Sequence, residues 1–237
     1  MKEAADAFLW CVAASLDMDF ILHTDTQANL LMAALYPNLL INVSHTFCDN
    51  YVKPEYLTGQ GMNPDFPFLT YVIGHELCHG FDANGANFNA RGELGDWWSI
   101  DDRLVFRKKQ EQLIGIFSQY YVGGVTFCNG VRTITEDMAD LGGLEIAYYT
   151  STRELEGKFG GEELLEKKRR FFKTYAILYA KHSSLEEKIR LVEEDEHTLN
   201  EFRINGIVNN IDEWYQLFDV TPERKFYLSP ERRVYLW

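Results

Sequence analysis

Two histidines and a glutamate in segment 74–80 have the types and spacing needed for metal chemistry. His75 and His79 are four residues apart, so on a helix both imidazoles lie on one face and can bind a single metal ion. Glu76 lies beside them and can accept a proton from metal-bound water. The spacing therefore predicts a zinc site with Glu76 as its general base.

A helix with two unrelated surface histidines is the simpler alternative. The residues around the motif weigh against it, because imidazoles without partners are costly in an apolar environment. The apolar neighbours are Val72, Ile73, Leu77 and Phe81. A bound metal would satisfy both imidazoles.

A catalytic zinc usually takes three protein ligands and leaves a fourth position for water. Glu136 is the best candidate for the third ligand, and Asp140 follows it by one helical turn. Asp140 could then accept the remaining N–H of a zinc-bound histidine. Acids near a helix start are also ordinary partners of the helix dipole, so this pair alone is weak evidence.

The motifs require helices to position them. Residues 68–81 have helical periodicity, and the stop signals Gly80 and Asn84-Gly85 lie near the end of this segment and just after it. Ser99 can cap a helix that runs to about Tyr121, and Thr135 can cap one that runs to about Leu155 with Glu136 in its first turn. Asn129-Gly130 between them is typical of a turn, such as that of a small hairpin.

Two more helices are predicted near residues 162–181 and 184–194, the second with a capping box from Ser184 to Glu187. Upstream, a helix reaches Leu16, a short apolar strand spans residues 39–43, and a proline-punctuated loop covers residues 44–67. Because helix dominates, the predicted fold class is mainly α with a small β-sheet (α+β). Residues 1–237 contain no repeat or linker, which indicates one domain.

The composition excludes several classes of protein. With 237 residues and 46% hydrophobic residues, the chain can bury a substantial core. A net charge of −13 argues against nucleic acid as a partner. The apolar stretch at residues 8–16 is too short to cross a bilayer, so no membrane span is expected. The four cysteines are too scattered for a zinc knuckle or a disulfide framework.

From about Asn29 to the last residue, the sequence resembles the C-terminal catalytic region of the neprilysin and endothelin-converting enzyme family of zinc metallopeptidases, which are gluzincins. The matching segments are Val72-Ile73-Gly74-His75-Glu76, His79-Gly80-Phe81-Asp82, Asp96-Trp97-Trp98, Glu136 with Ala139-Asp140, Phe202-Arg203-Ile204-Asn205-Gly206 and Arg233-Val234-Tyr235-Leu236-Trp237. The resemblance implies a thermolysin-like catalytic domain with one Zn²⁺ per chain.

The same resemblance assigns roles that the residues alone do not reveal. It implies that His197 stabilises the transition state, that Arg203 binds substrate and that Asn29 hydrogen-bonds the substrate backbone. Read without the family, His197 follows four acidic residues and is typical of a solvated surface histidine. Asn29 is the weaker match, since Leu30 stands where the family has alanine.

The resemblance also places four residues in segments that line the family's pocket for the residue after the cleaved bond: Tyr71, Val72, Leu178 and Tyr179. Plain core packing is the alternative role for them. If they do line the pocket, it should prefer a hydrophobic residue at that position. Asp137, where the family commonly has asparagine, and Cys78 inside the zinc motif are local departures that remove no ligand.

Members of that family are much longer and carry a large helical N-terminal domain over the active site. We therefore expect either a catalytic fragment or a shortened relative, its cleft open or covered by a partner subunit. An extracellular or cell-surface address rests on resemblance alone.

The leading hypothesis is a zinc-dependent peptidase that hydrolyses oligopeptides on the amino side of hydrophobic residues. One alternative is a catalytically inactive, zinc-stabilised binding or regulatory protein of the same fold. A helical scaffold without metal is a third interpretation.

Overall fold

The computed structural model describes residues 68–89 and 91–236. Over these residues the chain is mostly helical with one two-stranded sheet, which confirms the expected fold class. The helices are α1 (Phe68–Cys78), α2 (Ile100–Ser118), α3 (Gly130–Glu156), α4 (Gly161–Leu178), α5 (Leu185–Glu194), α6 (Asn200–Val208) and α7 (Asp212–Leu217), with 3-10 turns at Gly85–Asn87 and Pro230–Arg232. The strands are β1 (Tyr121–Val122) and β2 (Thr126–Phe127).

The strands pair antiparallel, with Tyr121 opposite Phe127 and Val122 opposite Thr126. Three sequence predictions lie outside the described residues: the helix up to Leu16, the strand at 39–43 and the loop at 44–67. Asn29 lies outside them as well.

Helix α3 is the longest element among the described residues and packs against α1, α2 and α6. Its closest approach is to α1, where Gly143 faces the backbone. A Cβ atom at position 143 would lie 2.7 Å from His75 N and 2.9 Å from Tyr71 O. Glycine at this position therefore lets the two helix backbones touch, which brings the histidine-bearing face of α1 against α3.

The core lies around α3 and is closed by α2, α4, α6 and the C-terminal segment. Its most deeply buried large side chains include Leu113, Phe117, Met138, Leu141, Leu144, Tyr148, Phe171, Tyr175, Ile207 and Val234. Tyr120 stacks on Phe202 with a centroid separation of 4.2 Å. Burial of this apolar surface is the main source of stability for the helical assembly.

Several helix starts follow the predicted caps. Ser99 accepts a hydrogen bond from Asp102 N at the start of α2, and Ser184 accepts one from Glu187 N at the start of α5. Helix α2 ends at Ser118, before the predicted Tyr121, because Tyr121 begins strand β1. Helix α1 ends at Cys78, and its last turn is followed by the predicted stop at Gly80.

The start of α3 was placed wrongly by the sequence. Asn129, not Thr135, is the N-cap, and its side chain accepts hydrogen bonds from Val131 N and Arg132 N. The prediction of a hairpin turn at Asn129-Gly130 was also wrong, since the chain turns at Gly123 and Gly124, whose φ angles are 58° and 73°. Glu136 therefore lies in the second turn of α3, too far in to be explained as a first-turn acid.

The C-terminal segment is held across α2 and α7 by polar contacts. The hydroxyl of Tyr215 donates to Asn209 O and accepts from Leu228 N. Lys109 Nζ donates to Leu236 O at 3.0 Å. Across residues 68–89 and 91–236, no helix combines the length and apolarity needed to span a bilayer.

Candidate metal centre

Three predicted ligands meet between α1 and α3. The Nε2 atoms of His75 and His79 are 3.2 Å apart. Glu136 Oε2 lies 3.2 Å from His75 Nε2, and Glu136 Oε1 lies 3.5 Å from His79 Nε2. One ligand atom from each residue falls within 4.8 Å of the others. Two imidazole nitrogens and one carboxylate oxygen form a ligand set that zinc commonly takes in catalytic sites.

The far side of each imidazole is occupied by a carboxylate. His75 Nδ1 lies 2.9 Å from Asp140 Oδ1, and His79 Nδ1 lies 2.8 Å from Asp82 Oδ2. Both Nε2 atoms therefore face the shared space, as zinc ligation with carboxylate support requires. Glu136 Oε2 is buried there without a well-formed hydrogen bond, so the residues fit a metal ion at this point.

The electrostatics of the cluster also favour a cation. Burial opposes charge on His75, but its interactions with Asp140 and Glu136 raise its pKa to about 10. Burial likewise opposes charge on Glu136, but His197 and His75 hold the pKa of that carboxyl well below its usual range. The carboxylates thus stabilise positive charge between them, whether it is carried by protons or by a metal ion.

His197 lies in the loop between α5 and α6 and reaches the same cluster. Its Nε2 atom is 3.0 Å from Glu136 Oε2, and its Nδ1 atom is 2.9 Å from Asp195 Oδ1. Its contact with Glu136 raises the pKa of the imidazole, while partial burial opposes this. His197 therefore contacts the cluster although its side chain is 46% exposed, and its role in the transition state stays a prediction.

Asp140 and Arg203 form a buried ion pair behind His75. Arg203 Nε donates to Asp140 Oδ2 and Arg203 Nη2 donates to Asp140 Oδ1, both at 2.6 Å. Burial would raise the pKa of Asp140, but Arg203 outweighs it and holds that pKa well below the usual range. Asp140 is thus ionised and placed to orient His75, while two of the three guanidinium nitrogens of Arg203 are committed to it.

The remaining predicted residues are placed as follows. Glu76 is partly buried on α1, between the two histidine ligands in the chain. Tyr71 is 2% exposed and belongs to the core, whereas Leu178 is 40% exposed at the end of α4. Tyr71 and Tyr179 carry hydroxyls 2.5 Å apart, so this part of the expected pocket is more polar than the sequence indicated.

Three carboxylates near the site were given no role by the sequence. Asp82 is fixed by hydrogen bonds from Asn84 N and Gly85 N to its Oδ1, at 2.7 and 2.8 Å. Its position three residues after His79 was the signal that could have identified it. Asp195 lies two residues before His197 and contacts its imidazole.

Asp137 is the third of these carboxylates. It is 1% exposed and accepts hydrogen bonds from Thr133 Oγ1 and Thr198 Oγ1, at 2.6 and 2.7 Å. Burial raises its pKa well above the usual value. The contact with Thr198 ties the loop that carries His197 to α3.

A shallow cavity of about 170 Å³ opens next to His197 and Arg203. Its lining comes from the end of α5, the loop before α6 and the start of α6, namely Leu191, Asp195, His197, Thr198, Leu199, Asn200 and Arg203. The cavity reaches His197 and Arg203, but its lining includes none of His75, His79 and Glu136.

Solved structures with the same fold include zinc metalloproteases. The zinc metalloprotease Zmp1 of Mycobacterium tuberculosis, solved in complex with an inhibitor, matches with a TM-score of 0.68 and 26% identity, over 100% of this chain and 47% of that chain. PepO from Lactobacillus rhamnosis matches with a TM-score of 0.61 and 28% identity, over 76% of this chain and 28% of that chain.

The sequence comparisons give the same assignment. Human neprilysin is 32% identical over 195 residues, which cover 78% of this chain and 26% of neprilysin. The neutral endopeptidase of Lactococcus lactis is 30% identical over 184 residues, which cover 78% of this chain and 28% of that protein. The chain thus spans about a quarter of the length of these relatives. Since residues 46–234 match the profile of peptidase family M13, the chain belongs to that family.

Proposed function

We propose that this chain is the catalytic domain, over residues 1–237, of a zinc-dependent peptidase that hydrolyses peptide bonds in oligopeptides. The observation that carries the proposal is the convergence of His75, His79 and Glu136, with the other nitrogen of each imidazole held by an aspartate. The names of the relatives, which include neprilysin, neutral endopeptidase and zinc metalloprotease, support the same reaction.

His75, His79 and Glu136 would hold one zinc ion per chain. When bound, zinc polarises the peptide carbonyl and makes water a stronger acid near neutral pH. Glu76 takes the proton from the attacking water and delivers it to the leaving amine, so that one carboxylate serves as base and then as acid. This is hydrolysis without a covalent intermediate on the protein.

The other residues bind and orient the reacting groups. Nε2 of His197 faces the ligand cluster, so its N–H can donate to the oxyanion that forms when the carbonyl is attacked. Asp140 keeps His75 in the tautomer that leaves Nε2 for metal, which makes it a positioning residue. Arg203 binds a substrate carbonyl through Nη1, the nitrogen that Asp140 does not engage, and Asn29 holds the substrate backbone.

The substrate proposal keeps a preference for a hydrophobic residue after the cleaved bond, provided by Val72 and the ring of Tyr179. Because the hydroxyls of Tyr71 and Tyr179 make part of this pocket polar, we expect it to favour hydrophobic side chains that can lie next to a hydroxyl group. Equal cleavage of peptides with aspartate, lysine or phenylalanine at this position would contradict it.

The proposal is tested by zinc analysis and peptide hydrolysis on the full chain, before and after Glu76→Gln. We expect one zinc in both proteins and a loss of at least about 100-fold in kcat for the variant, because only the proton acceptor is removed. Glu163→Gln, at an exposed glutamate on α4, is the matched control and should retain full activity.

One zinc without hydrolysis by the unmodified chain would contradict the peptidase and support the inactive, zinc-stabilised binding protein. A chain that takes up no zinc would contradict both functions.

A further inference from the structure

A chain of tyrosine hydroxyls ends on Asp140, the carboxylate behind the zinc histidine. The hydroxyl of Tyr71 donates to Asp140 Oδ1 at 2.7 Å, and the hydroxyl of Tyr179 lies 2.5 Å from that of Tyr71. Since the single proton of Tyr71 is used on Asp140, Tyr179 is the donor in the second hydrogen bond. The order is therefore Tyr179 to Tyr71 to Asp140.

A third tyrosine completes the group. Tyr175 packs edge-to-face against Tyr71 and Tyr179, with centroid separations of 5.4 and 5.3 Å. Its hydroxyl donates to Arg203 O at 3.1 Å. The guanidinium carbon of Arg203 lies 4.6 Å from the ring centroid of Tyr179. We call Tyr71, Tyr175 and Tyr179 the tyrosine cluster; it contacts both members of the Asp140–Arg203 pair.

Asp140 depends on these contacts because water cannot replace them. The side chain is fully buried, and its Oδ1 atom accepts hydrogen bonds from the Tyr71 hydroxyl and from Arg203 Nη2 at 2.7 and 2.6 Å and lies 2.9 Å from His75 Nδ1. The χ2 torsion of aspartate is soft, so the direction of each oxygen is set by its donors. Without the Tyr71 hydroxyl, Oδ1 has one donor fewer to keep it aligned with His75.

Core packing alone does not explain hydroxyls at these positions. Tyr71 and Tyr175 are 2% and 0% exposed, and phenylalanine would fill nearly the same volume without a polar group to satisfy. A buried hydroxyl is tolerated only when it is hydrogen-bonded, and here the partners are the carboxylate that orients His75 and the backbone of Arg203.

We propose that Tyr71 and Tyr179 are positioning residues of this zinc site. Tyr71 acts through Asp140 to hold His75 in its metal-binding orientation, and the ring of Tyr179 supports Arg203 for substrate binding. The inference rests on the proposed function, since it assigns these residues to the same zinc and the same substrate arginine.

Tyr71→Phe tests the first part through the rate at which zinc is lost to excess chelator. We expect release to be about 10-fold faster than in the unmodified chain, as for other outer partners of zinc ligands. In a chain that already carries Asp140→Asn, Tyr71→Phe should speed zinc release little further, because Tyr71 is proposed to act on His75 only through the Asp140 carboxylate.

Tyr215→Phe is the matched control. It also removes a buried tyrosine hydroxyl with two hydrogen bonds, but at the C-terminal segment. It should lower the melting temperature and leave zinc release unchanged. If Tyr71→Phe behaves in the same way, Tyr71 is structural only and the proposal is overturned.

Tyr179 is tested by a pair of variants that separate its ring from its hydroxyl. Tyr179→Phe keeps the ring under Arg203, whereas Tyr179→Leu removes it. We expect KM to rise several-fold in the leucine variant with a smaller change in kcat, and to rise less in the phenylalanine variant. This part would be overturned by equal KM values in both variants and the unmodified chain. It would also be overturned by a rise in KM confined to peptides with a hydrophobic residue after the cleaved bond, because such a rise would come from direct contact of the ring with substrate.

The experiments distinguish failure of the proposed peptidase function from failure of the role proposed for Tyr71. If the unmodified chain binds zinc but hydrolyses nothing, the peptidase is contradicted while the zinc-release comparison still decides the role of Tyr71. If the unmodified chain binds no zinc, both proposals are wrong.

Discussion

Three histidines at the site share one arrangement. His75, His79 and His197 each place Nδ1 against an aspartate oxygen, at 2.9, 2.8 and 2.9 Å, and each directs Nε2 toward Glu136. The aspartates fix the ring orientation and favour a proton on Nδ1. In the proposed site, a proton on Nδ1 leaves Nε2 of His75 and His79 free to bind metal, whereas His197 must carry a second proton on Nε2, as an imidazolium, to donate to an oxyanion.

Asp82→Asn should weaken zinc binding by about 10-fold or more. The asparagine oxygen can keep the turn by accepting from Asn84 N and Gly85 N, as Asp82 Oδ1 does now. Its NH₂ group then faces His79 Nδ1, which must accept instead of donate, so the proton moves to Nε2 and blocks the metal-binding nitrogen. Zinc affinity measured by chelator competition tests this.

The control for that change is Asp101→Asn, at an exposed acid in the first turn of α2, and it should leave zinc affinity unaltered. If the zinc affinity of the Asp82→Asn protein equals that of the unmodified chain, Asp82 does not set the His79 tautomer.

How much of the site the sequence predicts depends on how far apart the partners lie in the chain. His75, Glu76 and His79 are one local motif, and helical geometry alone places them together. The contacts of His197 with Glu136 and of Arg203 with Asp140 span more than 60 residues, so they were not predicted, and only family resemblance assigned His197 and Arg203 to the site. The hydroxyl chain from Tyr179 to Asp140 was missed, because no local pattern separates it from core packing.

At the scale of elements, the site depends on the contact between α1 and α3. Gly74 and Gly143 meet there, and a Cβ at position 74 would lie 3.1 Å from Gly143 Cα. This contact sets the distance between the ligands on α1 and Glu136 on α3. A small change in helix spacing would therefore separate the metal ligands before it disrupted the rest of the core.

Gly143→Ala is expected to destabilise the fold by about 1–3 kcal/mol and to reduce zinc affinity, since its Cβ would lie 2.7 Å from His75 N. Gly115→Ala is the matched control, because a Cβ on this exposed face of α2 meets nothing within 4 Å. It should be neutral or stabilise by about 0.5–1 kcal/mol. Chemical denaturation with and without zinc measures both changes.

If Gly143→Ala binds zinc normally, α1 can shift without moving its histidines, and the contact between α1 and α3 does not set the ligand distances.

The start of α3 shows where local sequence signals fit more than one structure. Asn129-Gly130 fits both a hairpin turn and a helix start, and Thr135 offers a second cap. In the structure the hairpin turn lies at Gly123 and Gly124, which adopt the positive φ angles, and Asn129 is the N-cap of α3.

At the scale of the whole molecule, a net charge of −13 is distributed unevenly. Four consecutive bases at residues 167–170 interrupt the acidic surface, but Lys168 pairs with Glu156 and Arg169 with Glu162, at 2.7 and 2.6 Å. Lys167 Nζ lies 4.2 Å from the ring centroid of Phe159. These contacts favour the prediction that nucleic acid is not a partner, which a binding assay would test.

One carboxylate of α3 lies away from the candidate metal centre and should contribute to the pH dependence of stability. Glu145 is nine residues after Glu136, about 13 Å further along the helix. Burial, reinforced by Glu213 and opposed by Lys109, raises its pKa from the usual 4.5 to about 7. Lys109 gives only partial compensation, since its Nζ atom donates to Leu236 O in the C-terminal segment.

The sign of the pH effect follows from proton binding. Between pH 4.5 and about 7 the folded chain keeps a proton on Glu145 that the unfolded chain has released, so this residue makes stability fall as pH rises through that range. Above it, the folded state carries a partly buried carboxylate. Glu145→Gln removes the charge, so the variant should be more stable than the unmodified chain by about 1–2 kcal/mol at pH 8 and nearly equal to it at pH 4.

Urea unfolding of the two zinc-free proteins across this pH range measures the difference, and the other titrating groups cancel because both proteins contain them. Glu163→Gln, at an exposed position on α4, should give a stability curve parallel to that of the unmodified chain. If the Glu145→Gln curve were also parallel, the carboxylate would be ionised and solvated in the folded state. Glu145 would then contribute nothing to the pH dependence of stability.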